Sequence, residues 1–168
     1  MITHSNDGGI NTSTVVGTRV VLAERLVRRD HLHGAWWPQT TDLQRELTPM
    51  LSRVLTRVHS VIGVTLSRVD WPEAPLFFQA KSGRDTNISW YGLGEPNLAV
   101  VHASEKTRIV LLLIPPETPE DVALTAMLMS TSPGNCFGTV QALAKARERA
   151  QIDHGKPDRP CWSGRIIP

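Results

Sequence analysis

Asp30-His31-Leu32-His33 has the most direct claim on chemistry in this chain, because two imidazoles two residues apart on a strand share a face and could share a metal ion. Two ligands do not complete a site. A third would have to come through folding from His59, His102 or Asp70, and histidines flanking a loop also serve as plain surface polar groups. Nucleophilic catalysis needs a Ser or Cys activated by a base. Cys136 lies near a helix start, which lowers a thiol pKa, but the sequence offers it no partner, and there is no Gly-x-Ser-x-Gly elbow. It reads as a small buried thiol. Gly92-Leu93-Gly94 lacks both a third glycine and a following helical pattern, so it fits a turn between strands rather than a dinucleotide loop. The carboxylates of Glu120-Asp121 are accounted for by a helix N-terminus. No cofactor is implied.

The remaining candidate chemistry is recognition by tryptophan. Five tryptophans stand beside one tyrosine and three phenylalanines, so aromatic mass is concentrated in indole rings. Trp36, Trp37, Trp71 and Trp90 fall in or beside expected loops, and Pro38 and Pro72 follow two of them and stiffen the backbone next to the ring. Neighbouring side chains of a strand point to opposite faces, so Trp36 and Trp37 cannot both enter one core unless the chain bends. Two readings follow. In one, both rings close the edges of a single small core and their indole N–H groups bond to backbone acceptors. In the other, a groove formed by Trp36, Trp37, Pro38, Asp70, Trp71 and Trp90 receives a small molecule or a protein partner. A separate enzymatic alternative combines His31, His33 and Asp70 with the same tryptophans.

Composition bounds these readings. A chain of 168 residues fits one domain with a sizeable core, and a net charge of +2 is far below what binding by counterion release from phosphates demands. Nucleic acid is therefore a poor partner; Arg25, Arg28 and Arg29, with Arg53 and Arg57, are adequately explained as solvated surface charge, a weak patch at most. Cys136 and Cys161, far apart and without CxxC spacing, suit a reducing, cytoplasmic compartment. The polar first fourteen residues do not resemble a secretory signal, and the longest apolar run, residues 109–114, is far short of the ~20 residues that span a bilayer. The expected organisation is a disordered arm over 1–14, one domain over 15–152 and a disordered tail over 153–168.

Along the chain, residues 15–26 suit a strand, followed by the loop carrying the paired tryptophans. Leu43, Leu47, Met50, Leu51, Val54, Leu55 and Val58 repeat at helical spacing and predict one helix, kinked at Pro49 and opened by a Thr41/Gln44 capping box. Residues 61–69 alternate as a half-buried strand. Residues 76–80 and 87–91 flank Ser82-Gly83-Arg84-Asp85 and predict an antiparallel hairpin. Strands follow over 98–103 and 108–114, the latter apolar throughout and hence central, ended by Pro115-Pro116. Thr118 as a cap with Pro119 at the first position opens a helix to about 130, and a last helix over 137–151 turns Val140, Leu143 and Ala144 inward. The expected fold is α+β: a mainly antiparallel sheet of five or six strands with two or three helices laid on it in two layers. The apolar helix over 122–129 also offers a face for homo-oligomers.

Gly34-Ala35-Trp36-Trp37-Pro38, followed by Asp42-Leu43 and Glu46-Leu47, resembles an uncharacterised actinobacterial domain-of-unknown-function family, family 5994. The likeness continues through Val69-Asp70-Trp71-Pro72, Glu95-Pro96 and Pro115-Pro116-Glu117-Thr118, and covers roughly residues 19–129. The chain departs from the family pattern at His33, where aspartate is frequent, and at Asn97, where histidine is frequent. The resemblance implies a fold and a bacterial cytosolic setting and brings no activity with it.

Overall fold

The computed structural model describes residues 19–26, 32–74, 86–92, 96–133 and 137–154. The expected arm, most of the expected tail, the expected strand at 76–80 and the side chains of Arg28, Arg29, His31, Cys136 and Cys161 lie outside them.

Six strands form one sheet: β1 (Val20–Leu22), β2 (Gly34–Trp36), β3 (Gly63–Ser67), β4 (Asn87–Tyr91), β5 (Leu98–His102) and β6 (Arg108–Leu113), in the spatial order β1-β2-β6-β5-β3-β4. The α+β class holds, but the sheet is mixed rather than mainly antiparallel. β2 runs parallel to β6 and β4 parallel to β3, while β1 with β2, β5 with β6 and β3 with β5 are antiparallel. β4 aligns Asn87 with Gly63 and Tyr91 with Ser67, parallel to β3, while the hairpin expected between 76–80 and 87–91 has its first strand outside the described residues. A parallel neighbour needs a crossover of a dozen residues or more, and the chain between Ser67 and Asn87 is long enough to make it.

β6 is central, as its unbroken apolar run predicts, and its alternate residues feed two separate cores. Ile109, Leu111 and Leu113 face one side, where they meet Ala99, Val101, Val64, Leu66 and the buried stripe Leu43, Leu47, Met50, Leu51 and Val54 of α1 (Leu43–Leu55). Leu112 and Ile114 face the other side, against α2 (Glu120–Thr131) and α3 (Thr139–His154). The protein therefore has three layers, with α1 on one face and α2 and α3 on the other. A periodic stripe reveals which side of a helix is buried but not which face of the sheet receives it.

Several local expectations shift. α1 is a single helix with Pro49 inside it, but its cap is Asp42, whose Oδ1 accepts from the backbone N–H of Gln44 at 3.0 Å and of Arg45 at 3.3 Å. Glu46, not Gln44, reaches back, accepting from the N–H and hydroxyl of Thr40, each at 3.0 Å. Leu55, expected inside, is exposed, and Val58 packs from beyond the helix end. Pro119, not Thr118, occupies the N-cap of α2, and Thr118 is buried without capping it. On α3 the inward face is Ala142, Leu143, Ala146 and Ala150; Val140 and Ala144 are exposed. These alanines meet Ala123 and Ala126 of α2, and side chains this small let two helices approach closely.

Candidate functional site

Each residue of the Gly34-Ala35-Trp36-Trp37-Pro38 run has a separate task, and three of them form a strand where a loop was expected. Gly34 lies against β1 so closely that a Cβ there would sit 2.0 Å from the Val21 carbonyl oxygen. Ala35 is buried beneath α2. Trp36 enters the α1 core and Trp37 the α2/α3 core, so the alternation that forbids two rings in one core is met by supplying a core on each face. Trp37 also lies under the guanidinium of Arg19, 3.9 Å from the ring centroid. Among the described residues, the Nε1–H groups of Trp36, Trp37 and Trp71 are all buried without an acceptor, contrary to the expectation of backbone partners. Each such orphan donor costs about 1–3 kcal/mol.

Pro38 turns the chain out of β2 and begins the wall of a cavity of about 220 Å³. Thr41 continues that wall on the way to α1. Val69, Asp70 and Trp71 reach it from the turn after β3, Asn97 from the residue before β5, and Leu113, Pro115, Pro116 and Glu117 from the end of β6 and the segment leading to α2. The cavity thus lies beyond the C-terminal ends of β2, β3 and β6. β2 and β6 are parallel neighbours whose following helices depart to opposite faces of the sheet. At such a switch point the two connections diverge and leave a crevice, the usual ligand position in open α/β sheets.

The crevice is held rigidly. Trp71 is backed by Trp36, with ring centroids 5.6 Å apart and planes inclined by 27°. The Asp70 carboxylate accepts from Asn97 N–H at 2.7 Å and from the N–H of Leu98, while Asn97 carbonyl oxygen accepts from Leu113 N–H at 2.8 Å. Asn97 is held at φ 64°, the only left-handed non-glycine residue among those described. Such a conformation costs of order 1 kcal/mol and persists because both of its backbone bonds fix it. Burial pushes the Asp70 carboxyl above the ordinary aspartate range, and the two backbone donors oppose that shift.

Of the residues singled out from sequence, Pro38, Asp70 and Trp71 therefore meet at one cavity. Trp36 stands behind its wall, Trp37 lies on the far face of the sheet, and Trp90 belongs to edge strand β4, with the Arg68 guanidinium 4.9 Å from its centroid. Thr41, Val69, Asn97, Leu113, Pro115, Pro116 and Glu117 carried no chemical signal in the sequence, although Pro115-Pro116 marks the strand end that places them. His33 is buried beside the opposite, N-terminal end of β6, where its Nδ1 accepts from Val110 N–H at 3.1 Å. It stands at the other end of the sheet from Asp70. His59 is exposed, and His102 pairs with Thr65 Oγ1 at 2.8 Å. Among the described residues no three His, Cys, Asp or Glu side chains gather as an ion-binding group, and no helix is long and apolar enough to cross a membrane. Arg57, one of the arginines read from sequence as solvated surface charge, donates to the carbonyls of Ala23 and Glu24 at 3.0 and 2.6 Å.

No curated protein and no solved structure matches the chain. A family of unknown function does match, over residues 19–130, two-thirds of the chain, and this region holds all six strands, α1, nearly all of α2 and every described residue lining the cavity. The chain belongs to that family of unknown function (DUF5994).

Proposed function

We propose that this protein is a cytosolic binding domain whose ligand, a small molecule rather than a macromolecule, occupies the crevice between the β2–α1 and β6–α2 connections. One observation carries the reading: the cavity coincides with the switch point of the sheet. Its walls are stiffened by Pro38, Pro115, Pro116 and the stacked Trp36/Trp71 pair, so little ordering entropy is lost when a ligand enters. At about 220 Å³ it lies below the range of ~300–1,000 Å³ typical of drug-sized ligands, which favours a compact metabolite. The groove is thus built on Pro38, Asp70 and Trp71 rather than on the Trp36-Trp37 pair.

A fragment screen read by NMR tests this. Val69 is half exposed on the rim, so Val69→Trp should fill the crevice without disturbing either core. Ligands that shift the Asn97 amide and Leu113 methyl resonances in the wild type should lose those shifts in the variant. Hits whose shifts survive Val69→Trp, or that map away from Asn97 and Leu113, overturn the reading.

A second reading, self-association, rests on α2. Leu124 and Leu128, one helical turn apart, are 53% and 70% exposed. A dimer in sedimentation analysis that Leu128→Glu dissolves would support it, and a monomer at every concentration would dismiss it.

A further inference from the structure

Among the described residues, the charged groups lining the crevice are all of one sign. Among the described residues its wall carries two ionisable side chains, Asp70 and Glu117, and no lysine, arginine or histidine. The nearest cation in sequence, Arg68, is committed elsewhere: its Nη1 donates to Ala74 carbonyl oxygen at 2.6 Å and its guanidinium lies over Trp90. The other elements forming the wall contribute neutral groups, namely the Thr41 hydroxyl, the Asn97 amide and the apolar surfaces of Val69, Leu113 and the prolines. An anionic ligand would find two carboxylates and no counter-charge.

The Asp70 carboxylate also retains bonding capacity. A carboxylate offers about four lone-pair sites, and the backbone N–H groups of Asn97 and Leu98 take two of them. The same two bonds lock its orientation, so an incoming donor meets an acceptor already fixed in place. Desolvation weakens a lone buried charge, and an N–H bearing cation is the partner that restores what burial removes.

We infer, building on the binding reading above, that the crevice takes a small organic cation, an ammonium or guanidinium group on a short apolar body, with the cation paired to Asp70 and the body against Trp71, Leu113 and Pro38. Glu117, exposed at the rim, adds attraction for the same sign of charge without forming a buried pair.

Three probes of nearly one shape and different charge separate the cation from the crevice: benzylammonium, benzyl alcohol and benzoate, each titrated into the full chain and into Asp70→Asn and Val69→Trp. Asparagine still accepts the Asn97 N–H through Oδ1, so Asp70→Asn keeps the turn while removing the charge. Benzylammonium should shift the Asn97 amide and benzoate should not. Its affinity should fall about tenfold or more in Asp70→Asn, as expected for loss of a charge-assisted bond. In the wild type, affinity should rise with pH while Asp70 ionises and then level off. If benzyl alcohol or benzoate binds as tightly as benzylammonium and binding is lost in Val69→Trp, the crevice stands and the cation inference falls. Unchanged affinity in Asp70→Asn has the same meaning. Shifts that persist in Val69→Trp overturn the binding reading itself, and so does the absence of any shift with all three probes at about millimolar concentration.

Discussion

Replacing Gly34 by alanine should damage the protein far more than one methyl group suggests. The added Cβ would stand 2.0 Å from Val21 carbonyl oxygen and 3.0 Å from Leu22 Cα, both main-chain atoms that no rotamer change can move. Strand β1 would have to retreat by about 1 Å. The flanking bonds, Ala23 N–H to His33 carbonyl and Trp37 N–H to Arg19 carbonyl, are each 2.8 Å long, and a retreat of ~1 Å carries them beyond hydrogen-bonding distance. Two such bonds represent about 1–3 kcal/mol. The φ of +155° adds roughly 1–3 kcal/mol for a residue with a side chain. With some loss of Val20 burial, the expected destabilisation is about 3–5 kcal/mol, a fall in Tm on the order of 10 °C for a chain of this size. Urea titration followed by tryptophan fluorescence measures it. Gly92, with nothing within 4 Å of a Cβ and no positive φ, is the internal control, and Gly92→Ala should change stability by under ~1 kcal/mol. A Gly34→Ala loss below about 1 kcal/mol, or no larger than the Gly92 control, would refute the close approach as the reason for glycine at this position.

The two-core arrangement predicts that Trp36→Ala and Trp37→Ala each cost about 3–5 kcal/mol and that Trp37→Ala, unlike Trp36→Ala, leaves the Trp71 fluorescence environment intact; both are read by denaturation and emission spectra. At the left-handed turn, Asn97→Gly should be tolerated within ~0.5 kcal/mol while Asn97→Val costs about 1–2 kcal/mol, by thermal unfolding. Because burial and Arg108 lower the His102 pKa, the native state binds fewer protons there than the unfolded chain; its stabilising share should be present above about pH 6.5 and lost on acidification, a slope that His102→Gln removes. Asp70 has the opposite sign: with its carboxyl raised, stability should decline as pH climbs above the ordinary aspartate range, and Asp70→Asn should flatten that decline.

What sequence could reveal depended on the range of the forces involved. The α1 stripe from Leu43 to Val54 and the centrality of β6 follow from local periodicity, and both are present. β2 escaped because three residues, Gly34, Ala35 and Trp36, are too few to show alternation and its partners, β1 and β6, are chosen by long-range packing. The pairing of β4 with β3 escaped for a similar reason: turn-forming residues before a strand say nothing of a distant strand that it also joins. At the site, Asp70 and Trp71 stood out by type, but Asn97 and Leu113 join them through register alone. Pro115-Pro116 ends a strand, as proline in a ladder predicts, and also forms part of the crevice wall.

The alternate side chains of the central strand β6 help complete both hydrophobic cores, and its main chain bonds to β2 on one side and β5 on the other. Neither core can open without stripping one face of the same six residues. The molecule is therefore expected to melt as one cooperative unit despite its divided interior, with the amides of Leu111 and Leu112 exchanging with solvent only through global unfolding. Slowest exchange along β6 would also mean that the floor of the crevice, Leu113, hangs from the most protected part of the chain.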